Sequence, residues 1–455
     1  MQDQNLVELE NHPIGSLMWR YFWPAFIGVM ANSLYNIIDR IFIGQYVGAE
    51  ALSGITAVFP VMVIMMAFGM LIGIGGSARL SLNLGRKDYD RARLVVGNVV
   101  VLVVIVSGFV TALGFVIKDP MLRIFGATDT TIGYANDYLN FILWGVILHE
   151  FGFSLNALIR AEGNARIAMY SMLISAGINI PLDALFIVHL DMGVQGAALA
   201  TIISMGCLSL WVLLHFRSKR SVVRLRWRYL GLNPAIVWSI VSIGLSPFAM
   251  QIASSGVQAL LNKSLIQYGS DLAVGAMGIV MSVAVIIIMS IVALNMASQP
   301  IIGYNYGAAI YSRVRTTLRY GLLLASGFAL LAWIVIQFIP APIVELFVGG
   351  NGDIFQYGVE GLRTYLFALP IIGFQIVMGS YFQSVGKAGK AIFLTLLRQL
   401  LVFIPMLLIL PRFWGLTGVW MAAPVSDLAS GVVCAILLIM EWRQLKTKER
   451  EMLSS

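Results

Sequence analysis

The chain has little charge, cysteine or histidine. Asp, Glu, Lys and Arg make up 11% of its 455 residues, against about 25% in soluble domains. With 59% apolar residues and a mean hydropathy of +0.86, a soluble fold is excluded and a polytopic membrane protein is expected. The two cysteines, Cys207 and Cys434, lie within apolar runs. A lone thiol there packs as a small hydrophobe, so no disulfide is expected. There is no HExxH, no CxxC, no Walker A and no GxGxxG opening a helix after a strand. Those gaps argue against metal hydrolysis, dithiol chemistry and nucleotide binding. No enzyme and no cofactor is expected, and any transport would be driven by an ion gradient. Residues Met1 to Asn11 are acidic and polar; without a basic n-region they do not read as a cleavable signal peptide.

What is present is a series of apolar runs. Windows of about 20 residues, the length that crosses a bilayer, give twelve spans: 15–43, 51–78, 94–117, 134–159, 165–188, 193–216, 234–262, 272–300, 316–340, 358–384, 391–411 and 416–441. The expected fold class is therefore an all-α polytopic membrane protein. The net charge of +8 does not point to nucleic acid, because the basic residues cluster between the runs. With the N-terminus inside, the inner segments hold 22 Lys and Arg and the outer loops five. That imbalance predicts a multi-pass protein of the inner (plasma) membrane with both termini cytoplasmic.

The sequence also repeats. Residues 81–93 read SLNLGRKDYDRAR and residues 303–315 read GYNYGAAIYSRVR. At a shift of 222, Asn83, Gly85, Tyr89, Arg91 and Arg93 match Asn305, Gly307, Tyr311, Arg313 and Arg315. The same shift matches Gly193, Gly196, Ala200 and Ser204 to Gly415, Gly418, Ala422 and Ser426. Two six-span halves of equal orientation follow, as parallel repeats about an axis along the membrane normal. The expected division is an N-terminal lobe, 1–222, and a C-terminal lobe, 223–455, joined by the basic stretch Arg217 to Asn233.

Charged groups inside the spans are costly and default to function. Asp183 lies in the fifth apolar run, with Asn179 one turn before it and Pro181 between them. Topology puts Asp39 of the first span and Thr201 of the sixth at similar depth. Asn32, Tyr35 and Asn36 precede Asp39 on its helix. Two carboxylates brought together in a low dielectric cannot both stay ionised cheaply, so the pair could carry a proton. The oxygens of Asp39, Asn179, Asp183 and Thr201 could alternatively hold Na+ as a hard cation. Two structural readings compete: an interfacial Asp39–Arg40 ion pair, and Asp183 capping the backbone gap left by Pro181.

Other polar groups stay open. Glu150, beside His149 in span 4, could line a cavity or pair with a base. Arg398 could face a cavity, but pairing with Asp427 across adjacent helices is favoured. Met62, Met65, Met66 and Met70 could form an adaptable apolar lining, with plain packing the simpler reading. Pro24, Pro60, Pro247, Pro300, Pro370, Pro405 and Pro424 are candidate kinks.

The runs Asn179-Ile-Pro-Leu-Asp183-Ala-Leu-Phe and Gly193-Val-Gln-Gly196-Ala-Ala-Leu-Ala-Thr201 resemble the multidrug and toxic compound extrusion (MATE) transporters. So do Leu84-Gly85-Arg-Lys-Asp-Tyr89 and Gln299-Pro300-Ile-Ile-Gly-Tyr-Asn-Tyr-Gly307. The resemblance covers nearly the whole chain and looks closest to prokaryotic branches with an N-lobe coupling site. It implies a V-shaped pair of six-helix lobes and an antiporter expelling amphipathic, often cationic, compounds against H+ or Na+. It places the coupling cluster on Asp39, Asn179, Asp183 and Thr201, and a helix-bending role on Pro24. Relatives with a C-lobe site carry acids in spans 7 and 10; here the span 7 position near Ser254-Ser255 has none, and neither does Tyr365 to Ser384 of span 10. Expected partners are a small organic substrate and membrane lipid, with no nucleic acid and a monomeric assembly. The alternatives are a flippase of lipid-linked sugars, for which Arg398 is the only cation deep in a span, and a membrane-embedded enzyme or scaffold.

Overall fold

The computed structural model describes residues 2–348 and 352–454, and every regular element among them is helical. The helices are α1 (Gln2–Asn11), α2 (Ile14–Phe42), α3 (Ala49–Gly85), α4 (Tyr89–Ile124), α5 (Ile132–Ala161), α6 (Ala165–Asp183), α7 (Gly193–Arg217) and α8 (Pro234–Tyr268). They continue as α9 (Asp271–Gly307), α10 (Tyr311–Phe338), α11 (Pro340–Val348), α12 (Asp353–Tyr365), α13 (Leu369–Ser384), α14 (Ala388–Leu396), α15 (Ile404–Ile409) and α16 (Pro411–Ser454). Among the described residues, eleven segments are long and apolar enough to cross a membrane, and the bent pair α12–α13, counted as one span, makes a twelfth. Most helices overrun the expected apolar windows, because their polar end turns stay helical until a cap or a left-handed residue stops them. The Asp88 carboxylate, for example, accepts the Arg91 backbone N–H at 3.0 Å and starts α4.

The tenth span, expected as one run with Pro370 a candidate kink, is bent by 52° between α12 and α13. Pro370 stands in the first turn of α13, where its missing N–H costs no helical bond. At α1, only a polar segment was expected. Its ten residues form a helix that buries Leu6 and Leu9. Asn5 Nδ2 donates to Asn164 Oδ1 (2.6 Å), and Tyr304 Oη donates to Glu10 Oε2 (3.0 Å).

The repeat is visible in the backbone itself. Lys87 and Ala309 both take a left-handed conformation, with φ of 60° and 61°. Gly193 and Gly415 share φ 56°. Both pairs are separated by the same 222 residues that align the two halves. At Gly415 the backbone departs from helical geometry within α16.

The helices gather into two compact units. The first is Met1–Phe248 with Gly303–Ala309, and the second is Ala249–Ile302 with Ile310–Ser455. Two changeovers thus fall inside helices, just after Pro247 in α8 and Pro300 in α9. Within the first unit, α3 meets the start of α8 and the end of α9 backbone to backbone. A Cβ on Gly75 would lie 2.0 Å from the Ile240 carbonyl oxygen, and one on Gly244 would lie 1.7 Å from that of Leu71. Gly85 and Gly307, repeat counterparts, face the carbonyls of Tyr304 and Leu82 at 2.0 and 2.2 Å in the same sense.

The link after α7 is tied down by Glu162, which is fully buried between α5 and α6. It accepts from Ser221 Oγ (2.7 Å) and Val223 N–H (3.0 Å), and its other oxygen faces His215 Nε2 at 3.1 Å. In the second unit, buried Glu441 takes Tyr381 Oη (3.0 Å), Lys390 Nζ (3.2 Å) and Lys387 Nζ.

Candidate functional site

The site is built on α2 and α6, which pack side by side in the first unit. Gly28 allows the approach: a Cβ there would sit 2.7 Å from Met172 Sδ. Four residues separate Tyr35 from Asp39, and four separate Asn179 from Asp183, so each pair shares one helical face. All four are buried; Asn179 and Asp183 are 0% exposed and Asp39 is 7% exposed. Tyr35, Ala176 and Met205 form a small apolar core among α2, α6 and α7.

Buried polar atoms are nearly always hydrogen-bonded. Here both oxygens of Asp183, Oδ1 of Asp39 and both polar atoms of the Asn179 amide have no protein partner among the described residues. Asp183 lies near enough to Asp39 to feel its charge, and Tyr35 feels both. The structural alternatives are not met. Among the described residues, Arg40 forms no ion pair with Asp39; its guanidinium lies over the Phe59 ring, 5.0 Å from the centroid. Asp183 caps nothing, because neither carboxylate oxygen is bonded. A π-helical turn follows each acid, Ile43–Val47 after α2 and Ala184–His189 after α6. Such turns widen the helix and often accompany functional sites.

Thr201 stands on α7, eight residues in from Gly193, and is partly buried. Tyr138, buried on α5, reaches it and also feels both acids. Sequence reasoning missed Tyr138. The signal was its depth: it lies six residues into α5, from the same end as Thr201. Asn32 and Asn36 lie on the exposed side of α2, and the Asn36 amide is satisfied by the Asn32 carbonyl at 2.7 Å. Pro24 is buried within α2. Arg398 belongs to the second unit, where its Nε meets Asp427 Oδ1 at 2.7 Å, as the favoured reading held. Glu150 lines a cavity, and its Oε1 faces His149 Nδ1 at 3.4 Å.

Buried carboxylate and amide oxygens without a protein partner are the kind of group that takes up a proton or a hard cation. Among the described residues, no three His, Cys, Asp or Glu side chains cluster for a transition metal.

The profile of the MatE family matches residues 24–185 and 247–409, most of each half. The chain belongs to the MATE family. A solved MATE multidrug transporter, DinF-BH with a dye bound, is 37% identical. Its TM-score is 0.88, and the match covers 95% of this chain and 96% of that one. A MATE crystallised in a bent conformation aligns with a TM-score of 0.91 at 26% identity, over 98% of both chains. Multidrug export protein MepA of Staphylococcus haemolyticus is 27% identical over 438 residues, 96% of this chain and 95% of its own length. This MATE protein is therefore a multi-pass membrane transporter with the twelve-helix fold, not an enzyme. The first profile match takes in Asp39, Asn179 and Asp183 and ends at residue 185, before Thr201.

Proposed function

We propose that this MATE protein sits in the plasma membrane with both termini cytoplasmic and exports amphipathic, often cationic, organic compounds in exchange for inward H+ or Na+. One observation carries the reading: Asp39, Asn179 and Asp183 form a buried group whose polar atoms are left unsatisfied by the protein. A proton or Na+ taken up from outside by Asp39 and Asp183 supplies that missing partner. It also cancels the negative charge that favours a cationic substrate, so the substrate is released. Thr201 supplies a hydroxyl and Asn179 an amide oxygen, completing the donors that a Na+ would need. The names of MepA and DinF-BH, multidrug exporter and multidrug transporter, support the cargo class. Arg398 is neutralised by Asp427, which removes the cation that a flippase of lipid-linked sugars would use.

The test is ethidium efflux from cells and transport in proteoliposomes under imposed pH and Na+ gradients. Wild type moves the dye under at least one gradient, whereas Asp39→Asn and Asp183→Asn abolish the response at normal expression. Undiminished gradient-driven efflux in both variants refutes the assignment.

A further inference from the structure

A second unsatisfied acid lies deeper in the first unit. Glu150 on α5 is 3% exposed, and its Oε2 has no hydrogen-bond partner among the described residues. The carboxylate rests in a space left by a glycine of the neighbouring helix: a Cβ on Gly69 would fall 1.7 Å from Oε2. The hydroxyl of Ser154, one turn on, donates to the Gly69 carbonyl at 3.3 Å rather than to the acid. Only His149 Nδ1, 3.4 Å from Oε1, faces the carboxylate. The sequence accordingly puts a charge-bearing group in a packed apolar layer, where His149 meets one of its oxygens and no group among the described residues bonds the other.

Glu150 borders a cavity of about 50 Å³, walled by Met62, Met65, Met66 and Met205. The cavity follows α5 from Ile142 to Glu150, about 12 Å of helix. Thr201 borders it too, so one chamber joins a coupling-cluster residue to the deeper acid. Thioether side chains are unbranched and polarizable, and they re-pack around bodies of different shape. An apolar chamber with a single acid suits a ligand with an apolar body and one positive charge.

We infer that Glu150 is the cation-holding residue of a substrate subsite, with the apolar body of an organic cation lying along Met62, Met65, Met66 and Met205. This rests on the export reading above and adds a further negative group that holds cargo charge, besides the coupling acids Asp39 and Asp183. Glu150 is then a specificity residue: it matters for cations and not for uncharged compounds of the same shape.

The test is equilibrium binding to the purified full-length protein in nanodiscs at one pH. The probes are tetraphenylphosphonium, a permanent cation, and triphenylphosphine oxide, an uncharged relative. Glu150→Gln is expected to weaken tetraphenylphosphonium about tenfold or more and to leave the uncharged probe within about twofold. Gly69→Ala keeps the acid but displaces its carboxylate, and should weaken the cation selectively as well. Unchanged tetraphenylphosphonium affinity in Glu150→Gln, or an equal loss for both probes, overturns the subsite while leaving the export reading in place. Wild type that fails to bind tetraphenylphosphonium overturns both.

Discussion

Glu162→Ala removes the buried side chain that fastens the first part of the basic link, around Ser221 and Val223, to the first unit; Asp90 and Asn98 hold its far end at Tyr229 and Asn233. The carboxylate is 0% exposed, and so are Ser221 and Val223, while His215 is 6% exposed. Three groups lose their acceptor together: Ser221 Oγ, the Val223 N–H and His215 Nε2. Leaving a buried polar group unsatisfied costs about 1–3 kcal/mol. Val223 N–H keeps a fallback in Ser221 Oγ at 3.2 Å, which pulls the total toward the low end, about 3–5 kcal/mol. At the scaling of domains of roughly this size, Tm should fall on the order of 10 °C. Glu162→Gln retains an acceptor oxygen for the two link groups and can turn its amide to His215, so its loss should be only about 1 kcal/mol. The assay is thermal unfolding in detergent, paired with limited trypsin digestion. Trypsin reads the link directly, because Arg217, Lys219, Arg220, Arg224, Arg226 and Arg228 all lie in it. Glu162→Ala should be cut there faster than wild type, with Glu162→Gln between. An unchanged Tm and digestion pattern in Glu162→Ala would refute the anchoring role.

Asp427→Leu leaves Arg398 without its carboxylate and should cost about 2–4 kcal/mol, below the full buried-pair range because the Arg398 side chain is 30% exposed. Arg398→Met with Asp427→Leu should recover most of that loss, as a double-mutant cycle on Tm will show. Gly244→Ala must part α8 from α3, since its methyl would meet the Leu71 carbonyl. It should cost about 1–3 kcal/mol and reduce transport, whereas Gly108→Ala, with no neighbour within 4 Å, should change neither reading.

The spans and the repeat were legible in the sequence, because hydropathy and motif spacing act along the chain. The Arg398–Asp427 pair was legible for a related reason: two opposite charges in adjacent apolar helices have few other partners. Other features depend on tertiary contacts that no short pattern records. Glu162 and His215 are 53 positions apart, and each alone reads as an ordinary loop or helix-end residue. The close glycines of α3, α8 and α9 look like any membrane-helix glycine until two backbones meet. Tyr138 reads as one more aromatic in an apolar span. The break before α13 was marked by Pro370, but a proline that kinks a helix and one that begins a new helix look alike in sequence. Conversely, Ile180-Pro181 recurs as Ile404-Pro405, 224 residues on, yet the positions corresponding to Asn179 and Asp183 are Phe403 and Leu407, both buried and apolar. The second copy keeps the frame without the acids.

The way the chain passes between its two units has a mechanical consequence. Two of the three passages are made inside continuous helices, after Pro247 and Pro300. At each, proline withholds one N–H and frees the carbonyl four residues earlier. A loop would act as a loose tether, free in every direction. A helix weakened at one turn acts as a leaf spring, stiff to twist and stretch and compliant mainly toward the side that lost its bond. Two such springs allow the units fewer independent movements than two loops would.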